Sequence, residues 1–260
     1  MLSLSYSISP KDLWNAIATR DAPQIVDVRR HDAYKQSPHL LPGAVWRDAA
    51  SASHWLTDFD PSRPVVAACK AGHEMSQSTV AQLRADGIDA QVLEGGYEGW
   101  TKAGLPFVAK AELERIVPRR PSIWVTRRRP KIDRIACPWL IRRFLDPHAR
   151  ILFVDPDHVK DVELSHVGER CSFDTMLKLF GLESEPSLAR LALIVRGADT
   201  ARPDIAAEAA GLHAVSLGLS ALAGDDDHGL LARGFIVYDA LFAWLRFAAE
   251  ERHNWPAKAA

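Results

Sequence analysis

An α/β chain is predicted, with a small parallel-sheet domain followed by a helix-rich α/β second domain, and three features of the sequence predict it. Short β-branched runs, each bounded by Pro, Gly or Asp, alternate with helical patterns in the first hundred residues, as a wound sheet requires. A stretch rich in Arg and Pro between Lys110 and Pro130 then interrupts the alternation. Beyond it, two further strand-like runs are outweighed by segments with helical spacing.

In chain order, "SPKDLWNAI" offers Ser9 as a helix N-cap and Pro10 at the first helical position, with Leu13, Trp14 and Ile17 forming an apolar face. "QIVDV", "GAVW", "PVVAA" and "AQVLEGG" read as buried strands of one parallel sheet. Between the last two, Val80 and Leu83 mark a helix that Gly87 can stop. A domain boundary is expected around residues 108–121. After it, "SIWVT" and "ARILFV" read as strands, and residues 134–145, 172–181, 203–221 and 228–251 as mainly helical.

Charge and composition narrow the function. Lys and Arg number 32 against 33 Asp and Glu, so the overall charge gives no reason to expect nucleic acid or an anionic membrane as partner. No helix-turn-helix signature, metal-finger spacing or basic helix points to nucleic acid either. The 3 cysteines, Cys69, Cys137 and Cys171, are scattered, which favours a reducing, cytoplasmic location over a disulfide framework. "MLSLSYSISPKDLW" lacks the pattern of a signal peptide. "GFIVYDALFAWLRFAAE" contains Asp239 and Arg246 and falls short of the ~20 apolar residues of a membrane span, so a buried helix is expected there.

"VVAACKAGHEMSQSTV" places Cys69 where a parallel strand ends and a loop leads to a helix, the usual ligand edge of an open α/β sheet. Backbone N–H groups there could stabilise a thiolate or an anion, with Gly72 permitting a tight cradle. The competing reading makes Cys69 a small buried hydrophobe. Glu74 next to the thiol should raise its pKa and repel anionic donors, whereas Lys70 and His73 pull the other way; alternatively His73 and Glu74 are solvated loop side chains.

"IVDVRRHDAY", "HLLPGAVW", "CKAGHEMSQS" and "VLEGGYEGWTKAGLP", in this order and spacing over residues 8 to 107, resemble a single rhodanese domain. The resemblance implies that Cys69 accepts a sulfane sulfur as a persulfide and passes it to a thiol acceptor, with no cofactor required. It makes Lys70, Ala71, Gly72, His73, Glu74 and Met75 the cradle and puts Asp27 and Arg29 in the signature of an early strand. The commonest family loop has an Arg and then Ser or Thr where this chain has Glu74 and Met75, so weak thiosulfate activity or preference for another donor is expected. Phosphatase-like chemistry uses a similar loop but expects an Arg near its end, which Glu74 opposes.

In the second domain, "PRRPSIWVTRRRPKIDR" concentrates Arg127, Arg128 and Arg134, suited either to an oxyanion or to a solvated linker. "DRIACPWLIRRFLDP" puts Cys137 at an expected first helical turn, as an activated thiol or as packing. His166, Glu169, Cys171 and Asp174, joined by His213 and the segment Asp225 to His228, could hold a divalent metal; an acidic loop capping the last helix explains the aspartates Asp225 to Asp227 well.

Residues 122 to 250 also resemble the C-terminal domain of the chromate resistance protein ChrB family, on "WVTRRRPKIDRIACPWLIRRFLDPHARILFVDPD", "HVGERCSFDTMLKLFGL", "LALIVRGADTARPDIAAEAAGLHAVSLGLS" and "DDDHGLLARGFIVYDALFAWLR". The expected organisation is a rhodanese-like domain at 1–110, a linker at 111–121 and a ChrB C-terminal-like domain at 122–260. Two functions stay open. One is a sulfurtransferase-like chromate resistance protein whose second domain binds an oxyanion, metal or acceptor. The other is a non-catalytic chromate or metal sensor or accessory protein.

Overall fold

The computed structural model describes residues 5–19, 21–55, 59–155 and 172–251. β1 (Ser7–Ile8) leads into α1 (Pro10–Ala16), where the Ser9 hydroxyl accepts the Asp12 N–H at 3.1 Å and Pro10 fills the first turn. Then come β2 (Gln24–Asp27), α2 (His31–Gln36), β3 (His39–Leu40), β4 (Val45–Trp46) and a 3-10 segment, Ala49–His54. β5 (Val65–Ala68), α3 (Glu74–Ala85), β6 (Ala90–Leu93), α4 (Gly96–Lys102), β7 (Val108–Ala109) and α5 (Lys110–Ile116) complete the first half.

The main sheet has 5 strands in the order β1-β6-β5-β2-β4, and every neighbouring pair is parallel. Its central strands are buried on both faces, which is why they read as unbroken apolar runs. Ile25, Val66, Ala68 and Leu93 point to one apolar cluster, and Val26, Val65, Ala67, Val92 and Cys69 to the other.

The second half opens with β8 (Ile123–Arg127), parallel to β9 (Arg150–Val154). Between them, α6 (Asp133–Leu140) runs into a π-helical turn, Ile141–Leu145, where a single helix over 134–145 was predicted. The helix begins at Asp133, so Cys137 lies past its first turn, beside the internal Pro138, rather than at its start. α7 (Ser172–Leu179), α8 (Pro186–Asp199), α9 (Ala209–Ala223) and α10 (Asp227–Phe247) follow. Helix α8 was not expected from the sequence. Its core is so continuously apolar that the helical period is hidden, and its N-cap is Glu185, which accepts the Leu188 N–H at 2.5 Å. Helix α9 begins at Ala209, later than the expected 203. Among the described residues no helix is long and apolar enough to cross a membrane.

One apolar cluster runs through both halves. Trp14 of α1 meets Trp100 edge-on at 6.1 Å, Phe144 at 6.1 Å and Phe242 at 6.5 Å, and Trp139 packs on Phe144 and Phe242. Backbone bonds cross the same junction, from Gly43 N–H to the Phe144 carbonyl at 2.6 Å and from Ala109 N–H to the Phe180 carbonyl at 2.9 Å. The stretch 111–121 carries most of α5 and buries Leu113 and Val117 against this cluster.

Because the core is continuous, Phe242→Ala is expected to cost about 3–5 kcal/mol of stability. Denaturant unfolding should show one shifted cooperative transition, and hydrogen exchange should speed up in α1 and β2 as well as in α10. Loss of protection confined to α10 would contradict a shared core.

Candidate functional site

Strand β5 ends at Ala68, beside Asp27 of β2, and delivers Cys69 to the carboxyl edge of the sheet. The chain then turns through Lys70 to His73 and enters α3 at Glu74. Two glycines make the turn possible. Gly72 has φ +73°, and a Cβ there would lie 2.8 Å from the Gly95 nitrogen; Gly96 has φ +54°, and a Cβ there would overlap the Cys69 carbonyl. The Gly95–Gly96 loop is thus pressed against the cysteine loop, and Tyr97 N–H donates to the Cys69 carbonyl and Glu98 N–H to the Lys70 carbonyl, both at 2.9 Å.

The thiol is 6 % exposed, and the Ser76 hydroxyl donates to Sγ at 3.2 Å. Ser76 occupies the first turn of α3, where side chains lean back toward the helix N-terminus and so toward the sulfur. Burial raises the thiol pKa, but the Ser76 hydroxyl and the N–H groups of Ser76, Ala71 and His73 outweigh it, so the net shift is below the ordinary thiol value. Sequence reasoning did not single out Ser76. Its signal was a hydroxyl one position after the place where the common family loop carries one.

The charged neighbours act differently from expectation. Glu74 is exposed at the start of α3 and, with Met75, Arg30 and Ser78, borders a groove of about 560 Å³ beside the loop. The leading causes of the thiol shift are burial and hydrogen bonds from Ser76, Ala71 and His73. Lys70 is exposed and faces Glu98 at 3.8 Å; the His73 N–H helps to lower the thiol pKa, and the His73 carbonyl lies 3.9 Å from Sγ as an acceptor for the protonated thiol. Beneath the loop lies a buried ion pair. Asp27 accepts from Arg29 Nε at 3.0 and 2.9 Å and from Nη2 at 2.5 Å, and the Arg29 guanidinium lies 4.1 Å from the centre of the Tyr97 ring. Asp27 is fully buried and serves as an acceptor that fixes Arg29 under the loop.

The other predicted residues lie elsewhere. Arg127 ends β8, Arg134 sits in the first turn of α6, and Arg128 faces Asp227 at 3.5 Å on the wall of a pocket that also carries Asp155, Asp225 and Asp226. That acidic surrounding corrects the expectation of an oxyanion cradle at Arg128. His166, Glu169 and Cys171 lie outside the described residues. His213 Nδ1 is 3.1 Å from the Ala198 carbonyl, and ten residues of α9, roughly 15 Å of helix, separate it from the end of α9 that precedes Asp225. The structure therefore does not join His213 to Asp225 through His228. Asp226 instead caps α10 by accepting the Gly229 N–H at 2.8 Å. Among the described residues, no group of three or more His, Cys, Asp or Glu is placed to hold a metal.

Comparison with known proteins agrees with this geometry. A sequence profile described as "Rhodanese-like domain" matches residues 9–103. Thiosulfate sulfurtransferase GlpE of Actinobacillus succinogenes is 35% identical over 101 residues, which cover 38% of this chain and 87% of that protein. The chain belongs to the rhodanese-like family. A solved rhodanese-like domain protein from Staphylococcus aureus is 30% identical, covering 36% of this chain and 89% of its own, with a TM-score of 0.33. The second half of this rhodanese-like protein matches the profile "ChrB, C-terminal domain" over residues 124–245. Protein ChrB of Cupriavidus metallidurans is 36% identical over 129 residues, which cover 46% of this chain and 39% of that protein.

Alkylation of Cys69 by iodoacetamide, followed against pH, should have a midpoint below that of a free thiol, because the lowered pKa enlarges the thiolate fraction at neutral pH. Ser76→Ala removes a group that stabilises the thiolate, so the midpoint should move up and alkylation at pH 7 should slow. An unchanged profile would contradict the role of the Ser76 hydroxyl.

Proposed function

We propose that this protein is a sulfurtransferase in which Cys69 carries sulfane sulfur as a persulfide. The observation that carries this reading is the cradle itself, a loop of backbone N–H groups and the Ser76 hydroxyl around a thiol whose pKa is lowered. The Cys69 thiolate attacks the outer sulfur of the donor, a new S–S bond forms, and the bond inside the donor breaks. With thiosulfate the leaving group is sulfite; with a persulfide donor it is a thiolate. An acceptor thiolate then attacks the outer sulfur of the Cys69 persulfide and leaves the Cys69 thiolate ready for another cycle. The cradle offers the same N–H groups to the charge on the terminal sulfur.

The GlpE similarity supports thiosulfate as one donor. Glu74, where an Arg is common, puts a negative charge at the mouth of the loop and disfavours a dianion, so a persulfide donor of lower charge is the better substrate. The ChrB similarity supports a role for the second half in chromate resistance, and a reducing cytoplasm would supply the acceptor thiols.

The test is cyanolysis of protein loaded with thiosulfate or with glutathione persulfide. Wild-type protein should release thiocyanate after either donor, faster after the persulfide, and Cys69→Ser should release none. Glu74→Arg should raise kcat/KM for thiosulfate about tenfold, the effect of roughly 1.4 kcal/mol from reversing one charge near a dianion. No cyanolysable sulfur from either donor would overturn sulfur transfer and leave a binding role for the loop.

A further inference from the structure

At the edge of the sheet opposite Cys69, where β2 and β5 begin, a cavity of about 150 Å³ lies between the two halves of the chain. Arg63 from the first half and Arg142 and Arg143 from the second line it, among neutral residues such as Ile25, Gly43 and Phe235, and no acidic side chain does. Arg142 and Arg143 both lie in the π-helical turn after α6.

The three guanidinium groups are not equivalent. Arg143 is neutralised by Asp239, with Nε and Nη2 donating to its two carboxylate oxygens at 2.9 and 2.7 Å. Arg63 donates only to the Ala22 carbonyl, from Nε at 2.8 Å and Nη2 at 2.5 Å. Arg142 donates from Nε to the Ala149 carbonyl at 2.9 Å. These bonds hold both side chains in place and leave Arg63 Nη1 and both Nη nitrogens of Arg142 without a protein acceptor among the described residues. Neither residue has a carboxylate within ion-pair distance there. Burial is the main cause that holds both guanidinium groups below their ordinary pKa; for Arg63 the attraction of Asp60 comes next, ahead of the Arg143 repulsion and of Asp21, and for Arg142 the Arg143 repulsion comes next, ahead of Asp146.

Arg63 and Arg142 thus both line one small cavity, partly desolvated and with guanidinium nitrogens that have no protein acceptor among the described residues, a lining that suits a doubly charged anion. At ~30 Å³ per water the cavity holds about five waters, enough for one tetrahedral oxyanion and too little for a nucleotide. We propose that this cavity is a binding site for a small tetrahedral dianion of the sulfate, thiosulfate or phosphate class, held by Arg63 and Arg142. β2 spans about 13 Å between this edge and Asp27, at ~3.3 Å per residue, so an anion here is out of reach of the Cys69 sulfur. The proposal stands independently of sulfur transfer. Since its two arginines come from opposite halves of the chain, the anion also bridges those halves and stabilises the folded state by mass action.

The test is calorimetric titration and thermal unfolding of the full chain with sulfate, thiosulfate and phosphate, at ionic strength held constant with chloride. Saturable one-to-one binding with a rise in Tm is expected, and the tightest of the three identifies the preferred anion. Arg63→Gln and Arg142→Gln should each weaken it at least tenfold, and Cys69→Ser should leave it unchanged, which separates this site from the cysteine loop. As a measurement that needs no variant, bound sulfate should protect Arg63 and Arg142 from phenylglyoxal while exposed Arg233 reacts as before. The proposal is overturned by a Tm response no greater than that of chloride, by equal binding in the Arg63→Gln/Arg142→Gln double variant, or by modification that sulfate does not slow.

Discussion

Trp14 holds the molecule together. Its indole is met by Trp100 from the sheet side and by Phe144 and Phe242 from the helical side, and the Arg246 guanidinium lies 4.9 Å from the ring centre while donating to the Trp14 carbonyl at 3.0 Å. Dispersion and desolvation of several large rings are concentrated at one point, so relative displacement of the halves would expose aromatic surface from both. Everything built across the junction inherits this rigidity. The Arg120 guanidinium reaches the Ala44 carbonyl at 2.7 Å, and the face that carries Arg142 is fixed against the face that carries Arg63.

The cysteine loop depends on the same principle at smaller scale. A ring of N–H groups can surround a sulfur only if the backbone approaches closely, and that approach is secured by glycines on both contacting loops, Gly72 on one and Gly95–Gly96 on the other. The electrostatic consequence is modest in each bond and collective in effect. Burial alone would raise the Cys69 pKa; the surrounding hydrogen-bond donors bring it below the ordinary thiol value. Hydrogen bonds lead the reversal, so the lowered thiol pKa does not require the Arg that the common family pattern carries at the position of Glu74. Glu74 faces the groove outside and so bears on which donor approaches rather than on the state of the sulfur.

A chain with nearly balanced charge thus concentrates positive potential locally at the two ends of one sheet, by different means. At the carboxyl edge the means are backbone dipoles and a helix N-terminus. At the amino edge they are guanidinium groups. Arg143 has Asp239, whereas among the described residues Arg63 and Arg142 have carboxylates nearby but none within ion-pair distance, and that asymmetry distinguishes the cavity from an ordinary structural ion-pair network.

The sequence by itself determined whatever is encoded in neighbouring residues. The Ser9–Pro10 start of α1, the four-residue apolar strands, the glycine after α3 and the position of Cys69 at a strand end are local signals, and each appears where expected. Local signals failed where packing overrides them. Helix α8 is buried nearly all round, so its periodicity vanishes, and the helix after Asp133 changes to a π-turn that buries Phe144 and Leu145 in the shared core. Only the tertiary structure decided which charges meet. The arginine-rich run from Arg127 to Arg134 looked like the anion site, yet folding brings Arg128 to Asp227, while Arg63 and Arg142, unremarked along the chain, line one cavity across the junction. The physical reason is that an electrostatic site is defined by which counter-ions are near in space, and separation along a chain of this length says almost nothing about that distance.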